Sequence, residues 1–177
     1  ESTLSPHYGD FIERATSLGI DVGNATNGWR FFPDVAERLL PLLTWVRFTV
    51  LAGRPDSYLR LMHGSVADRH IWDTAMENIH QAVEIKRKRG LGVTLGIQTF
   101  VTPADVEEIV PFAQLAVSLG VDYAMVKHTS DDETGAIGID YQAYAPVIAA
   151  IREAELLTTA ETLITAKWSK LTGPDAW

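Results

Sequence analysis

The 177-residue chain contains no cysteine, and this absence limits its chemistry more than any residue that is present. Without thiols the chain forms no disulfide and no thiolate zinc site, and it cannot by itself ligate an iron–sulfur cluster. Basic residues are also scarce, because 15 Lys and Arg stand against 23 Asp and Glu and give a formal net charge of −8. Nucleic-acid and membrane-surface binding both need a basic face, so the sequence predicts neither partner.

Long apolar runs and the common catalytic motifs are missing as well. No run approaches the roughly 18 residues of a membrane-spanning helix. The five histidines form no H-E-x-x-H pattern, so we predict no metal site, and there is no G-x-S-x-G of a serine hydrolase. The chain starts at Glu1 without a signal segment. We expect a single domain over 1–177 that is a piece of a longer, cytoplasmic protein.

Hydrophobic periodicity alternates between about 3.6 and 2 residues along the chain, as helices and strands do when they follow one another. It predicts helices over 5–18, 33–43, 55–62, 68–89, 103–119 and 141–155. It predicts strands over 20–25, 44–51, 91–100, 121–128 and 162–168. The short connections between them indicate parallel strands joined by right-handed crossovers. The expected fold class is α/β, either an open doubly wound sheet or part of a (β/α) barrel.

The carboxyl ends of the predicted strands are polar. A purely structural parallel strand stays apolar to its end, whereas a (β/α) barrel builds its active site where strands lead into the following helices. The polar residues at these ends are Asn24, Thr26, Asn27, Thr49, Gln98, Thr99, Lys127, His128 and Lys167. We interpret them as candidates for a functional site.

Alternation within each strand predicts which side chains face the interior of the barrel. The apolar set suits a helix layer, and the opposite set comprises Trp45, Arg47, Thr49, Thr94, Gly96, Gln98, Tyr123, Met125 and Lys127. A slip of one residue would exchange Lys127 for His128, so the sequence leaves that choice open.

Several short motifs resemble, in order and spacing, those of the radical S-adenosylmethionine (SAM) enzymes. The segments 1–6 (ESTLSP) and 26–28 (TNG) resemble the end of that family's G-N-G-E-P-T-L-x-P stretch and the T-N-G that ends its third strand. Segment 45–53 (WVRFTVLAG) resembles the fourth strand, v-R-v-S-l-d-a-g. Further matches are 55–58 (PDSY) to P-E-x-Y, 91–98 and 121–127 to the fifth and sixth strands, and 167–171 (KWSKL) to members with a cysteine-rich, SPASM-like C-terminal extension.

The resemblance implies a partial TIM-like (β/α)₆ barrel, of which this chain would cover roughly strands 3 to 7. It also implies an enzyme that uses a 4Fe–4S cluster to cleave SAM reductively to a 5′-deoxyadenosyl radical, which abstracts hydrogen. The parent protein would be an oxidoreductase or maturase acting on a peptide or small-molecule substrate, with a reductase as electron donor. The cluster motif C-x-x-x-C-x-x-C is expected before Glu1, so the fragment alone would be inactive.

The resemblance also implies roles for individual residues. Glu1 would be the motif carboxylate that accepts a hydrogen bond from the SAM amino group. Thr49 stands at the family's fourth-strand serine and would contact the ribose or the methionyl carboxylate. Gln98 would be a second polar contact to the cofactor, and Asn27 would shape the rim.

Either Lys127 or His128 would meet adenine or substrate, and these positions also admit other interpretations. One is a different (β/α)₈ barrel enzyme, a Schiff-base lyase with Lys127 or Lys167 as the nucleophile. Another is a barrel-derived binding domain without catalysis.

Overall fold

The computed structural model describes residues 1–62, 68–129, 138 and 140–171, and strands alternate with helices through these ranges. The strands are β1 (Val22–Thr26), β2 (Leu43–Thr49), β3 (Thr94–Val101), β4 (Tyr123–His128) and β5 (Leu163–Ala166). The α-helices are α1 (Tyr8–Ser17), α2 (Pro33–Leu39), α3 (Pro55–Leu61), α4 (Arg69–Arg89), α5 (Ile109–Leu119) and α6 (Ala145–Glu155). Each lies within the stretch predicted for it, to within a residue or two.

The five strands form one sheet in which every neighbouring pair is parallel and the spatial order is β1-β2-β3-β4-β5. A doubly wound sheet reverses its strand order at a switch point, and this sheet does not. The chain instead winds in one direction, as in a barrel. The α/β partial barrel-like fold is therefore confirmed.

The two faces of the sheet differ in their cover. Register aligns Val46 with Leu95 and Phe48 with Ile97, and all four side chains are buried on the face that the helices cover, the helix side. The opposite face carries the set predicted to point inward, and we call it the open face. Its residues include Trp45, which is 37% exposed, and Phe100, which is 41% exposed. The predicted alternation is thus the alternation of the folded sheet.

Some of the polar strand-end residues lie on the helix side. These residues are Asn24, Thr26, Thr99 and His128. Each is the register partner of a buried apolar residue of the neighbouring strand, in the same order Val46, Phe48, Val126 and Val101. These four side chains therefore lie outside the open face, although their strand-end positions made them candidates for the site. Their side chains have structural partners instead: the Thr99 hydroxyl donates to the Leu51 carbonyl at 3.0 Å, and the His128 ring packs edge-on against Tyr144.

The loop after β2 packs tightly on α5 and the turn before it. Gly53 lies so close to the backbone of Pro111 and Phe112 that a Cβ would overlap both residues. The next residue, Arg54, forms an ion pair with Glu108, whose side chain is 2% exposed. Burial by itself would raise the pKa of Glu108, but hydrogen bonds from Arg54 and Ser57 lower it below its ordinary value. This loop is therefore fixed by both shape and charge.

Among the described helices, none combines the length and the apolar character that crossing a membrane would require.

Candidate functional site

The turn that follows β1 is held from three sides. Gly28 has a φ of +82°, which favours glycine, and its N–H donates to the Thr26 hydroxyl at 3.1 Å. The Asn27 side-chain oxygen accepts from the Trp29 N–H at 3.0 Å, so it shapes the turn locally. From α4, the buried amide of Asn78 donates to the carbonyls of Gly28 and Trp29 at 2.9 and 3.1 Å. The rim at the end of β1 is consequently rigid.

Glu1 reaches this same turn. One carboxylate oxygen accepts from the hydroxyls of Thr3 and Thr26 at 2.7 and 2.8 Å, and the other accepts from the Asn27 N–H at 2.8 Å. Burial by itself would raise the pKa of Glu1, but these hydrogen bonds outweigh it and lower the pKa. The group is thus an ionised carboxylate at the carboxyl end of the edge strand, and it can accept a further hydrogen bond.

Thr49 and Gln98 are neighbours on the open face. They are register partners across β2 and β3, at the carboxyl end of β2. Gln98 is 2% exposed, and its side-chain oxygen has no hydrogen-bond partner among the described residues. Buried amide oxygens are almost always paired, so an orphaned one points to a missing ligand or water.

A cavity of about 480 Å³ opens on this face next to Gln98. It is lined by Arg47, Gln98, Tyr123, Met125, Lys127, Ala166, Lys167, Trp168 and Ser169. Three of these side chains are cationic and none is acidic. Burial lowers the pKa of Lys127, and the charges of Arg47 and Lys167 lower it further.

Two glycines leave room for the aromatic side chains of this face. A Cβ on Gly96 would overlap the Tyr123 ring, so that ring lies directly over the β3 backbone. A Cβ on Gly23 would likewise overlap the Trp45 ring, over which the Arg47 guanidinium stands at 5.4 Å. Of these two rings, that of Tyr123 lines the cavity, whereas the Trp45 ring lies over β1.

The predicted candidates fall into groups in this geometry. Thr49, Gln98 and Lys127 share the open face of adjacent strands, and Glu1 and Asn27 lie together at the end of β1. His128 lies apart from them on the helix side. The sequence left open whether Lys127 or His128 faces the site, and in the structure it is Lys127 that lies on the open face.

Two residues of this region were not among the predicted site residues. Alternation placed Arg47 in the inward-facing set, two residues before Thr49. That position is the signal by which the sequence could have identified it as a site residue. Asn78 had a weaker signal, a lone amide on the apolar stripe of α4 between Ala75 and Ile79.

Comparison with known proteins finds solved structures of similar fold but no match by sequence. No protein-family model matches the chain, and no curated protein matches it. SuiB from Streptococcus suis superposes with a TM-score of 0.69 over 97% of this chain and 39% of SuiB, at 14% identity. SuiB bound to S-adenosylmethionine gives 0.69 at 12% identity, and SuiB bound to precursor peptide SuiA gives 0.68 at 13%, each over 97% of this chain and 38% of SuiB.

TYW1, in a structure with a lysine-pyruvate adduct bound, gives a TM-score of 0.64 over 87% of this chain and 46% of TYW1, at 17% identity. Both neighbours are radical SAM enzymes. At these identities the similarity establishes the fold, and this chain spans less than half the length of either neighbour.

Proposed function

We propose that this chain is the SAM-binding portion of a radical SAM enzyme that acts on a peptide or another small substrate. The observation that carries the proposal is the pairing of Thr49 with the orphaned amide of Gln98 on the open face. The carboxylate of Glu1 stands at the end of the adjoining strand. The fold shared with SuiB, which binds S-adenosylmethionine and the precursor peptide SuiA, supports the same assignment.

The available groups fit the polar groups of SAM. The ammonium of SAM needs an acceptor, and Glu1 is an ionised carboxylate with capacity left for one. Ribose hydroxyls and the methionyl carboxylate need hydroxyl and amide partners, and Thr49 and Gln98 supply one of each. The Thr49 hydroxyl has no hydrogen-bond partner among the residues that the structure describes.

In this assignment the chain binds and orients the cofactor. Glu1 holds the ammonium, Thr49 and Gln98 hold the sugar and carboxylate side, and the Asn27 turn, fixed by Asn78, keeps the rim in place. When bound at a reduced 4Fe–4S cluster, SAM supplies a 5′-deoxyadenosyl radical. The 177 residues contain no cysteine, so the cluster's thiolates would come from outside them.

SAM affinity measured by calorimetry tests the proposal. Thr49→Val keeps shape and β propensity but removes the hydroxyl, and we expect SAM binding to weaken about tenfold, as loss of one hydrogen bond predicts. Thr94→Val is the matched control, because Thr94 lies on the same face at the opposite end of the sheet. Absence of SAM binding, or equal losses in the two variants, would refute the assignment.

A second candidate function is Schiff-base chemistry at Lys127. The amine is half-buried, and burial together with the charges of Arg47 and Lys167 lowers its pKa, which enlarges the neutral, nucleophilic fraction at neutral pH. TYW1, which shares the fold, was solved with a lysine-pyruvate adduct bound. In this reaction the neutral Lys127 amine would attack the carbonyl carbon of a keto acid, and the resulting carbinolamine would take up a proton from solvent and lose water to leave an iminium.

Borohydride trapping separates the two candidates. Hydride adds to an iminium and leaves a stable secondary amine, so pyruvate and borohydride together should add one reduced pyruvate to the chain if Lys127 reacts. We expect the adduct on the peptide containing Lys127 and its loss in Lys127→Met, with Lys88→Met, an exposed lysine of α4, as control. Mass spectrometry finding no adduct, or adducts spread over surface lysines, would exclude this candidate.

A further inference from the structure

Three cations converge on the cavity of the open face without a counter-charge in its lining. Arg47, Lys127 and Lys167 all line it, and the pKa of Lys127 is lowered by the two others as well as by burial. Two carboxylates of neighbouring elements are engaged elsewhere, since Asp122 binds Lys86 and Glu155 accepts from the Trp168 indole.

The cations are placed against aromatic rings. Arg47 lies 5.4 Å from the centroid of the Trp45 ring, and the Lys127 ammonium lies 5.9 Å from that of Phe100. Such contacts orient a cation and offset part of its desolvation, but they leave its charge uncompensated. A charged cluster of this kind on an acidic protein costs stability, and its cost is explained if a ligand neutralises it.

Two of the side chains that line this cavity carry buried polar atoms. The Nε of Arg47 is a buried donor, and the Gln98 side-chain oxygen is a buried acceptor, and neither has a hydrogen-bond partner in the described part of the chain. Gln98 is 98% removed from solvent, so its orphan oxygen is not satisfied by bulk water. The cavity therefore offers cationic donors beside a neutral acceptor.

We propose that this cavity binds an oxyanion group, a carboxylate or a phosphate, of the substrate, with Arg47, Lys127 and Lys167 as its cationic partners and Gln98 accepting from a neighbouring N–H or O–H of the same ligand. A guanidinium presents paired N–H donors in the plane that carboxylates and phosphates match. The ammonium groups of Lys127 and Lys167 act as point charges, which can attract either a carboxylate or a phosphate.

The inference names the substrate class of the function proposed above and in that respect rests on it. The proposed oxyanion site lies at a different position on the sheet from the residues assigned to SAM. Arg47 aligns with Gly96 and Tyr123, one layer below the Thr49–Gln98 pair, while Lys127 and Lys167 close the side of β4 and β5. Gln98 is the single residue common to the two sets.

Calorimetric titration of the full chain with glutarate and, separately, with inorganic phosphate tests the site without SAM. We expect at least one of the two to bind, and glutaramide, the neutral analogue of glutarate, not to bind. The preferred probe identifies the oxyanion. Arg47→Gln should weaken that binding by about tenfold or more, the range for losing a hydrogen bond to a charged group.

Lys88→Gln removes one positive charge from an exposed position of α4 and should leave probe binding unchanged. If Arg47→Gln fails to fold, Lys127→Met and Lys167→Met carry the same expectation. Binding of neither probe, or equal losses in Lys88→Gln and Arg47→Gln, would overturn the proposal.

SAM titrated into the same samples separates this inference from the function proposed above. Glutarate binding without SAM binding would contradict the SAM assignment and leave the oxyanion site standing. Competition between SAM and glutarate, with equal losses of both in Arg47→Gln, would assign the cavity to the methionyl carboxylate and overturn the substrate role.

Discussion

Replacing Gly53 with alanine is expected to destabilise the protein by about 3 kcal/mol, the upper end of the range for overpacking a core. The added Cβ would overlap the backbone of Pro111 and Phe112, and a helix backbone cannot turn aside as a long side chain can. Relief requires α5 to move away from the loop, which would also strain the ion pair of the buried Glu108 with the half-exposed Arg54. Urea unfolding measures the change as a lower midpoint.

Gly92→Ala is the matched control for this variant. Gly92 is exposed, and a Cβ there would meet no heavy atom within 4 Å. Its unfolding free energy should stay within about 0.5 kcal/mol of the parent, as for most surface substitutions. Similar losses in the two alanine variants would show that the contact with α5 does not limit stability.

Asn78→Leu is expected to cost about 3 kcal/mol, because it leaves the carbonyls of Gly28 and Trp29 without their hydrogen-bond donor in a largely buried place. Leucine branches at the same carbon as asparagine but is larger, so no cavity forms, and crowding at this buried position adds to the loss of the hydrogen bonds. Hydrogen exchange at Asn27 and Trp29 should accelerate in the variant, since both amides belong to the turn that Asn78 holds.

Gln81→Leu provides the comparison within the same helix. The Gln81 amide donates to Glu77 at an exposed position, so its replacement should change the unfolding free energy by about 0.5 kcal/mol or less. If Asn78→Leu were equally mild, the turn after β1 would have to be held by its other hydrogen bonds, those of Gly28 with Thr26, of Trp29 with Asn27 and of Asn27 with Glu1.

Much of the architecture followed from the sequence because its cause is local. The strands and helices were predicted from periodicity, and alternation correctly assigned Arg47 and Gln98 to one face; it left the choice between Lys127 and His128 open, and the structure puts Lys127 on that face. That assignment needed only the fact that one face of the sheet is packed against apolar helices, which fixes the register of each strand.

Strand-end polarity was a weaker guide, because a polar side chain at a strand end has two ways to be satisfied. Thr99 satisfies its hydroxyl at the Leu51 carbonyl on the helix side, and Asn24 accepts from the Ser2 hydroxyl. Such partners come from segments distant in sequence, so no local sequence pattern predicts them. The same is true of Asn78, whose partners lie about 50 residues before it.

The site residues assigned by resemblance remain predictions. Glu1 could be located in the sequence only through its motif, because a single glutamate near a turn has no distinctive physical signature. What the structure adds is its environment, a set of donors that keep it ionised, and the pairing of Thr49 with an amide that lacks a partner.

The strand order, in which each strand neighbours the one before it in the chain, has a consequence for synthesis. As the polypeptide leaves the ribosome, every new strand finds the edge it must pair with already made. Growth can therefore proceed by adding one strand and its helix at a time, and no strand has to be inserted between two that have already joined. At every stage the growing sheet exposes β1 at one edge and the newest strand at the other, and unpaired edges of this kind are where a chaperone would act.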